Sequence, residues 1–167
     1  PKSKEFIISI ITASIYQSTS NIFNLIDSKF NFEELMKKFN ISLVDFMNLL
    51  NIACQNKKFE ISCKLTDLIL KNFQYVDFTY PFIGACCVGS EQIYQYFIDK
   101  KVIINYSEIL NYYQLIFKGN CKIAINLLDI VDSELKDSLT KLFFIESSKN
   151  NNKEAFKILL PYNLDNK

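Results

Sequence analysis

The chain has 167 residues, of which 49% are hydrophobic, so it excludes intrinsic disorder and is long enough for one domain with a buried core. Nineteen lysines, eighteen acidic residues and no arginine leave a net charge of +1, which provides little attraction for nucleic acid or an anionic membrane. Histidine is absent, which excludes an imidazole base, a His-ligated metal and a Ser–His or Cys–His pair. We therefore expect no enzyme activity and no cofactor.

Cysteine usage indicates a reducing compartment. The five cysteines are an odd number, lie in apolar runs and include no C-x-x-C pair, so we expect free core thiols in an intracellular, cytoplasmic protein. A metal site and a redox-sensitive pair at Cys86 and Cys87 are the alternatives. The apolar run from Phe6 to Ile15 is too short to span a bilayer, so no membrane insertion is expected.

The first 50 residues form the least regular part of the chain. The run from Phe6 to Ile11 predicts a helix that packs inward or against a second chain, which makes self-association through the N-terminal helix an open alternative. Ser42 and Asp45 have the spacing of a capping box that opens the next helix. An inserted helix is expected before that box. Its apolar stripe comprises Phe32, Leu35, Met36 and Phe39, and the template matches further upstream are Ala13, Leu25 and Ile26.

From residue 51 onward, one short pattern recurs four times, and successive occurrences lie 32, 30 and 32 residues apart. That period is typical of stacked supersecondary units, each unable to bury its apolar face alone. We call the first residue of each occurrence its starting position and count offsets from it. Offset four holds a residue suited to a turn, and offsets eight and twelve hold apolar residues. The starting positions are Ala53, Ala85, Leu115 and Ser147; offset four holds Lys57, Gly89, Gly119 and Asn151; offset eight holds Ile61, Ile93, Ile123 and Ala155; offset twelve holds Leu65, Phe97, Leu127 and Leu159.

Each recurring unit is predicted to be a helix, a tight turn and a second helix. Gly or Asn at offset four suits a helix that ends in a left-handed turn. Pro81 is suited to a helix start, so the first helix of its unit is predicted at 82–87. Asn105 and Pro161 are expected to mark exits from second helices, and residues 72–80 are expected to be extended or loop-like. Gly84 is explained by close helix packing.

The segment from Tyr80 to Asn105 resembles an ankyrin repeat, whose pattern runs T-P-L-H-x-A-A, two variable residues, Gly and an amphipathic helix. The resemblance extends more weakly over residues 45–165. It implies an all-α solenoid: a single repeat domain over 1–167, with an irregular unit at 1–50 and about four ankyrin-like units at 51–167. Tyr80 and Ile83 stand where the family has Thr and His. The hydrogen bonds that the family's Thr and His make between units are therefore expected to be absent. The matching positions are Pro81, Phe82, Ala85, Cys86, Gly89, Ile93, Phe97, Ile98 and Asn105.

The resemblance implies a scaffold or adaptor that binds a protein partner on a concave face made by first helices and loop tips. Tyr and Phe are favoured as contact residues because they bury a large area at a small entropic cost. Alternatives are another helical-pair solenoid, a compact helical bundle that binds a ligand or a host protein, and a regulatory segment of a larger enzyme. The predicted contact residues are Gln55, Asn56, Tyr75, Phe78, Cys87, Val88, Tyr106, Tyr112, Tyr113, Phe117 and Lys118, followed by Lys149 and Asn150 in the last unit.

Overall fold

The computed structural model describes residues 4–17 and 37–164, and over these ranges the chain is mostly helical, which confirms the all-α prediction. The only β-type pairing among the described residues is one isolated bridge between Asp77 and Ile103. None of the described helices combines the length and apolar character that a bilayer crossing requires. The helices are α1 (Lys4–Tyr16), α2 (Leu43–Gln55), α3 (Phe59–Asn72), α4 (Thr79–Cys87), α5 (Glu91–Asp99), α6 (Tyr113–Gly119), α7 (Cys121–Leu127), α8 (Ser133–Lys149) and α9 (Lys153–Leu164), with a 3₁₀ helix at Tyr106–Asn111.

The helices from α2 onward form four antiparallel pairs that follow one another along the chain. The first helices of the pairs make one row, in which α2 packs against α4, α4 against α6, and α6 against α8. In the second row, α3 packs against α5 and α7 against α9. Helix α1 covers the outer side of α2, where Ile11 and Ile15 are fully buried.

The predicted register is confirmed in the second helices. They begin at Phe59, Glu91, Cys121 and Lys153, which reproduces the intervals of 32, 30 and 32 residues. All eight apolar residues at offsets eight and twelve are buried. At the starting positions, Ala53, Ala85 and Ser147 are buried but Leu115 is 55% exposed. The predicted equivalence of Leu115 is therefore wrong.

Left-handed turns close three of the four first helices, at Lys57, Gly89 and Asn151. After each turn residue, the next backbone N–H donates to the carbonyl oxygen at the starting position of the unit, which is a Schellman cap: Lys58 to Ala53, Ser90 to Ala85 and Asn152 to Ser147 at 2.9, 2.9 and 2.8 Å. Gly119 is the exception. Helix α6 continues to Gly119, the extended Asn120 (φ −163°) follows, and α7 begins at once.

The capping box of α2 is confirmed. The Ser42 hydroxyl accepts from the Asp45 N–H, and the Asp45 carboxylate accepts from the Ser42 N–H at 2.7 Å. Upstream, Ala13 is exposed, so its match to the buried alanines is wrong. Residues 37–39 are helical and Phe39 is half-buried. The other members of the predicted N-terminal unit and insert, Leu25, Ile26, Phe32, Leu35 and Met36, lie outside the described residues.

Several predicted boundaries need correction. Helix α4 begins at Thr79, two residues before Pro81, since the N–H that proline lacks would be unpaired anywhere in the first turn. Pro161 lies inside α9, and α5 ends at Asp99 instead of Asn105, which caps the 3₁₀ helix through its side chain.

A hydroxyl joins the loops on either side of the pair α4–α5, although Tyr80 and Ile83 do not provide the bonds between units that the family has. The Asn105 N–H donates to Thr79 Oγ1 at 2.7 Å, one residue ahead of the predicted position. The Phe78 N–H donates to the Ile103 oxygen at 2.8 Å beside that bond. The loops before α4 and after α5 are therefore held together in the part of the chain where the sequence predicted no such bonds.

Candidate functional site

A groove of about 410 Å³ crosses the row of first helices, and we call it the inner groove. Helices α2, α4 and α6 form it where they pack side by side, and Tyr112 contributes from the residue just before α6. None of its lining side chains is charged. It is lined by Asn51, Gln55, Tyr80, Ile83, Gly84, Cys87, Val88, Tyr112 and Leu115.

The floor of the inner groove depends on Gly84 in the middle of α4. A Cβ atom at this position would lie 3.0 Å from Asn51 Oδ1 and 3.2 Å from Gln55 Cγ. Glycine therefore allows α4 to approach α2 closely. The two amides belong to successive turns of α2, and Gln55 Nε2 donates to Asn51 Oδ1 at 3.4 Å. The α2 side of the groove thus presents hydrogen-bonding groups without a net charge.

The remaining walls are apolar. Tyr80 is 58% exposed and Leu115 is 55% exposed, while Cys87, Val88 and Tyr112 are half-buried. Burial raises the pKa of the Cys87 thiol to about 11, so this sulfur is protonated and uncharged at neutral pH. The groove can therefore accept an apolar group, with the amides of Asn51 and Gln55 available as polar partners.

The structure brings four of the predicted contact residues together in the inner groove: Gln55, Cys87, Val88 and Tyr112. Others lie on the surface without lining it. Tyr75 is 90% exposed, the largest value for a large apolar side chain in the described ranges, and Lys118 is exposed on α6. Asn56 caps α2 through a 2.8 Å bond from its Nδ2 to the Ile52 oxygen, and the Tyr113 hydroxyl accepts from Gln114. Lys149 and Asn150 both bond to the buried Glu146.

Three aromatic predictions are corrected. Phe78 is completely buried against Phe97, and Phe117 is 4% exposed and stacks on Phe143 with ring centroids 5.7 Å apart. Tyr106 is half-buried, with its ring edge-on to Phe82 at 6.1 Å. Phe78 and Phe117 are core residues and Tyr106 supports the core, because each packs its ring against a buried phenylalanine.

The sequence prediction missed five residues of the inner groove: Asn51, Tyr80, Ile83, Gly84 and Leu115. A usable signal existed for two of them. Asn51 precedes Gln55 by four residues and Ile83 precedes Cys87 by four, so each shares a helix face with a predicted contact residue. The prediction considered only the last two places before the turn and so overlooked the preceding helical turn.

A second groove, of about 360 Å³, separates α5 from α7 in the other row and has mostly polar walls that include Glu91, Gln92 and Asn126. Asn120 Nδ2 bridges its edge by donating to Glu91 Oε1 at 2.8 Å. Beside this groove, α6 and α7 follow each other without the left-handed turn found in the other pairs.

All five cysteines are free, and within the described ranges no group of three or more Cys, Asp or Glu side chains is placed to hold a metal ion. Burial raises the pKa of Cys54 to about 12 and that of Cys86 well above its ordinary value. Cys54 and Cys86 occupy the same place in successive pairs and are fully buried. Their packing is that of small core residues.

Comparisons with known proteins returned no match in a scan of family models, in a search of curated proteins or in a search of solved structures.

Proposed function

We propose that this chain is a non-catalytic, ankyrin-like interaction module that binds a protein partner in the inner groove. The observation that carries the proposal is the exposure of Tyr80 and Leu115 on adjacent first helices, on either side of a groove whose lining has no charge. Large apolar side chains that remain exposed around a concave surface are typical of interaction sites.

The repeated geometry supports the ankyrin-like part of the proposal. Three helix pairs close with the same left-handed turn, and all four second helices start in the register of the repeat. In such an array the first helices form a continuous surface that can hold a partner. An intracellular, cytoplasmic location belongs to the same proposal, and five free thiols support it.

A polypeptide segment suits the inner groove because it offers apolar side chains to the apolar walls and backbone hydrogen-bonding groups to the amides. Apolar side chains of a partner would bury the rings of Tyr80 and Tyr112 together with Leu115. Backbone N–H and C=O groups of the partner would bond to the amides of Asn51 and Gln55, which each offer a donor and an acceptor.

Site-specific photocrosslinking tests the proposal. A photoreactive phenylalanine analogue at Leu115 should give a defined crosslinked protein in native lysate, because this side chain stands in the groove. The matched control carries the analogue at Leu70 of α3, which is 41% exposed and lies in the other helix row. Adding Tyr80→Ala to the Leu115 probe should suppress the adduct. Equal adducts from Leu115 and Leu70, or an adduct that Tyr80→Ala leaves unchanged, would refute the groove as the binding site.

A further inference from the structure

Two lysines lie at one edge of the inner groove, where the first helices have their C-terminal ends. Lys118 follows Leu115 by three residues on α6, so the two residues are neighbours on one helix face. Lys57 forms the left-handed turn directly after α2, two residues beyond Gln55 of the groove lining. Both lysines are exposed. We call Lys57 and Lys118 the basic edge.

The helices that form the groove do not offset this charge. Neither lysine of the basic edge makes an ion pair with a residue that the structure describes. Helices α2, α4 and α6 contain one acid, Asp45, which lies at the opposite end of α2 and pairs with Lys4 at 2.7 Å. Asp77 and Glu108 also lie at the opposite end, ahead of α4 and α6, and both carboxylates accept hydrogen bonds from residues close by in the chain.

The second helices contribute the acids that follow the basic edge in the chain. Glu60 and Glu91 belong to the first turns of α3 and α5, and the Glu91 carboxylate accepts from Asn120 Nδ2 at 2.8 Å. Lys149, near the end of α8, differs from the basic edge because its Nζ lies 3.1 Å from the buried Glu146 carboxylate. The two ammonium groups of the basic edge are therefore available to a partner.

We propose that the partner segment in the inner groove is acidic, with carboxylates that bind Lys57 and Lys118 on either side of the apolar residues that fill the groove. This inference rests on the proposed function and specifies the chemistry of the partner. The uncharged lining offers a charged side chain no counterpart inside the groove, so the partner's charges belong at its edge. A basic segment would place like charges against the basic edge.

The positions of the two lysines determine the spacing of the partner's acids. Lys57 follows α2 and Lys118 is near the end of α6, with α4 packed between these two helices. Neighbouring packed helices are about 8–10 Å apart, so about 16–20 Å separates the two lysines. An extended segment advances about 3.3 Å per residue, so its two acidic positions are about five or six residues apart. The apolar residues lie between them.

Selection from a random peptide library displayed on phage tests this chemistry. The bait is the chain of residues 1–167, and a parallel selection on Tyr80→Ala identifies the peptides that bind in the inner groove. Among peptides that Tyr80→Ala fails to retain, we expect Asp and Glu to be enriched about twofold or more over the library, and Lys and Arg to be depleted.

Fluorescence anisotropy with the most enriched peptide measures the contribution of the basic edge. The Kd should rise about tenfold in the double variant Lys57→Glu, Lys118→Glu, and it should rise with salt concentration. The matched control is Lys122→Glu with Lys153→Glu, which changes the net charge equally through exposed lysines of α7 and α9. This control should leave the Kd within about twofold of the unmodified chain. Circular dichroism should show both double variants folded.

The possible outcomes separate this inference from the proposed function. The acidic partner is overturned if the peptides that depend on Tyr80 are neutral or basic, or if the two double variants have equal Kd values. Either result leaves the inner groove as a binding site. If no peptide depends on Tyr80, the groove does not bind peptides and both proposals fail.

Discussion

The backbone of Gly119 approaches the carbonyl oxygen of Cys87 so closely that a Cβ atom at position 119 would lie 2.1 Å from that oxygen. Cys87 is the last residue of α4 and Gly119 is the last residue of α6, so the ends of two neighbouring first helices meet here. Gly89 takes part in the same contact, because its own Cβ would lie 2.5 Å from the Gly119 oxygen.

We expect Gly119→Ala to destabilise the chain by about 3 kcal/mol or more, because the clash is with backbone atoms that cannot move independently. The matched control is Gly84→Ala, where the neighbouring atoms belong to the flexible side chains of Asn51 and Gln55. Better helix propensity offsets the cost there, so its effect should stay within about 1 kcal/mol. Urea unfolding followed by circular dichroism measures both, and equal effects would contradict the close approach at Gly119.

Two buried threonines should respond in opposite ways to replacement by valine, which has nearly the same shape. Thr66 Oγ1 has no hydrogen-bond partner among the residues that the structure describes, so Thr66→Val should stabilise the chain by about 1 kcal/mol. Thr79 accepts from Asn105 and donates to Asp77, so Thr79→Val should cost about 1 to 2 kcal/mol. Thermal unfolding of the two variants compares them directly. A loss of stability in Thr66→Val would show that its hydroxyl has a partner in solution.

Asp45 makes the stability of the chain depend on pH at the acid end. Desolvation raises its pKa, but hydrogen bonds from Lys4 and Ser42 outweigh this effect and lower the pKa from 3.8 to about 2. Because the folded value is the lower one, the stabilisation is complete above pH 3.8 and is lost as the pH falls towards 2. Asp45→Asn should cost about 1 kcal/mol above that range and should flatten the pH dependence within it. Urea titrations at several acidic pH values provide the measurement. If the stability of Asp45→Asn falls with pH as steeply as that of the unmodified chain, the prediction is contradicted.

Tyr106 and Tyr75 should differ sharply on truncation, although both were predicted as surface contacts. Tyr106→Ala removes a ring packed against Phe82 and should cost about 2 kcal/mol, less than a fully buried aromatic residue. Tyr75→Ala removes a side chain that is 90% exposed and should change stability by less than about 0.5 kcal/mol. Differential scanning calorimetry separates the two, and a neutral Tyr106→Ala would return that residue to the candidate contact surface.

Local signals in the sequence predicted the regular parts of the fold. The period of the apolar residues located the second helices and their buried face, and the spacing of Ser42 and Asp45 located the start of α2. These features depend on residues close together in the chain, so helix geometry and capping chemistry are enough to predict them. Lys57 adopted the left-handed turn with Gly89 and Asn151 because its position in the unit required it.

Features that depend on contacts between units were not accessible in the same way. Gly119 occupies the position in its unit where the sequence predicts a left-handed turn. In the structure, the absence of a side chain there instead allows another helix to approach closely. Phe117 stacks on Phe143, a residue of the following pair, and nothing in its neighbourhood along the chain distinguishes it from an exposed aromatic residue. The inner groove likewise depends on how far α2, α4 and α6 are separated, which only the packed helices determine.

Among the described residues, the extensive helix contacts join helices of one pair or of adjacent pairs. Each such contact closes a loop of only about thirty residues, so the entropic cost of folding is divided into small, similar steps. Folding can then start at any pair and spread to the neighbouring pairs. Helix α4, which packs on α2, α5, α6 and the 3₁₀ helix, should retain its amide protons longest in hydrogen exchange.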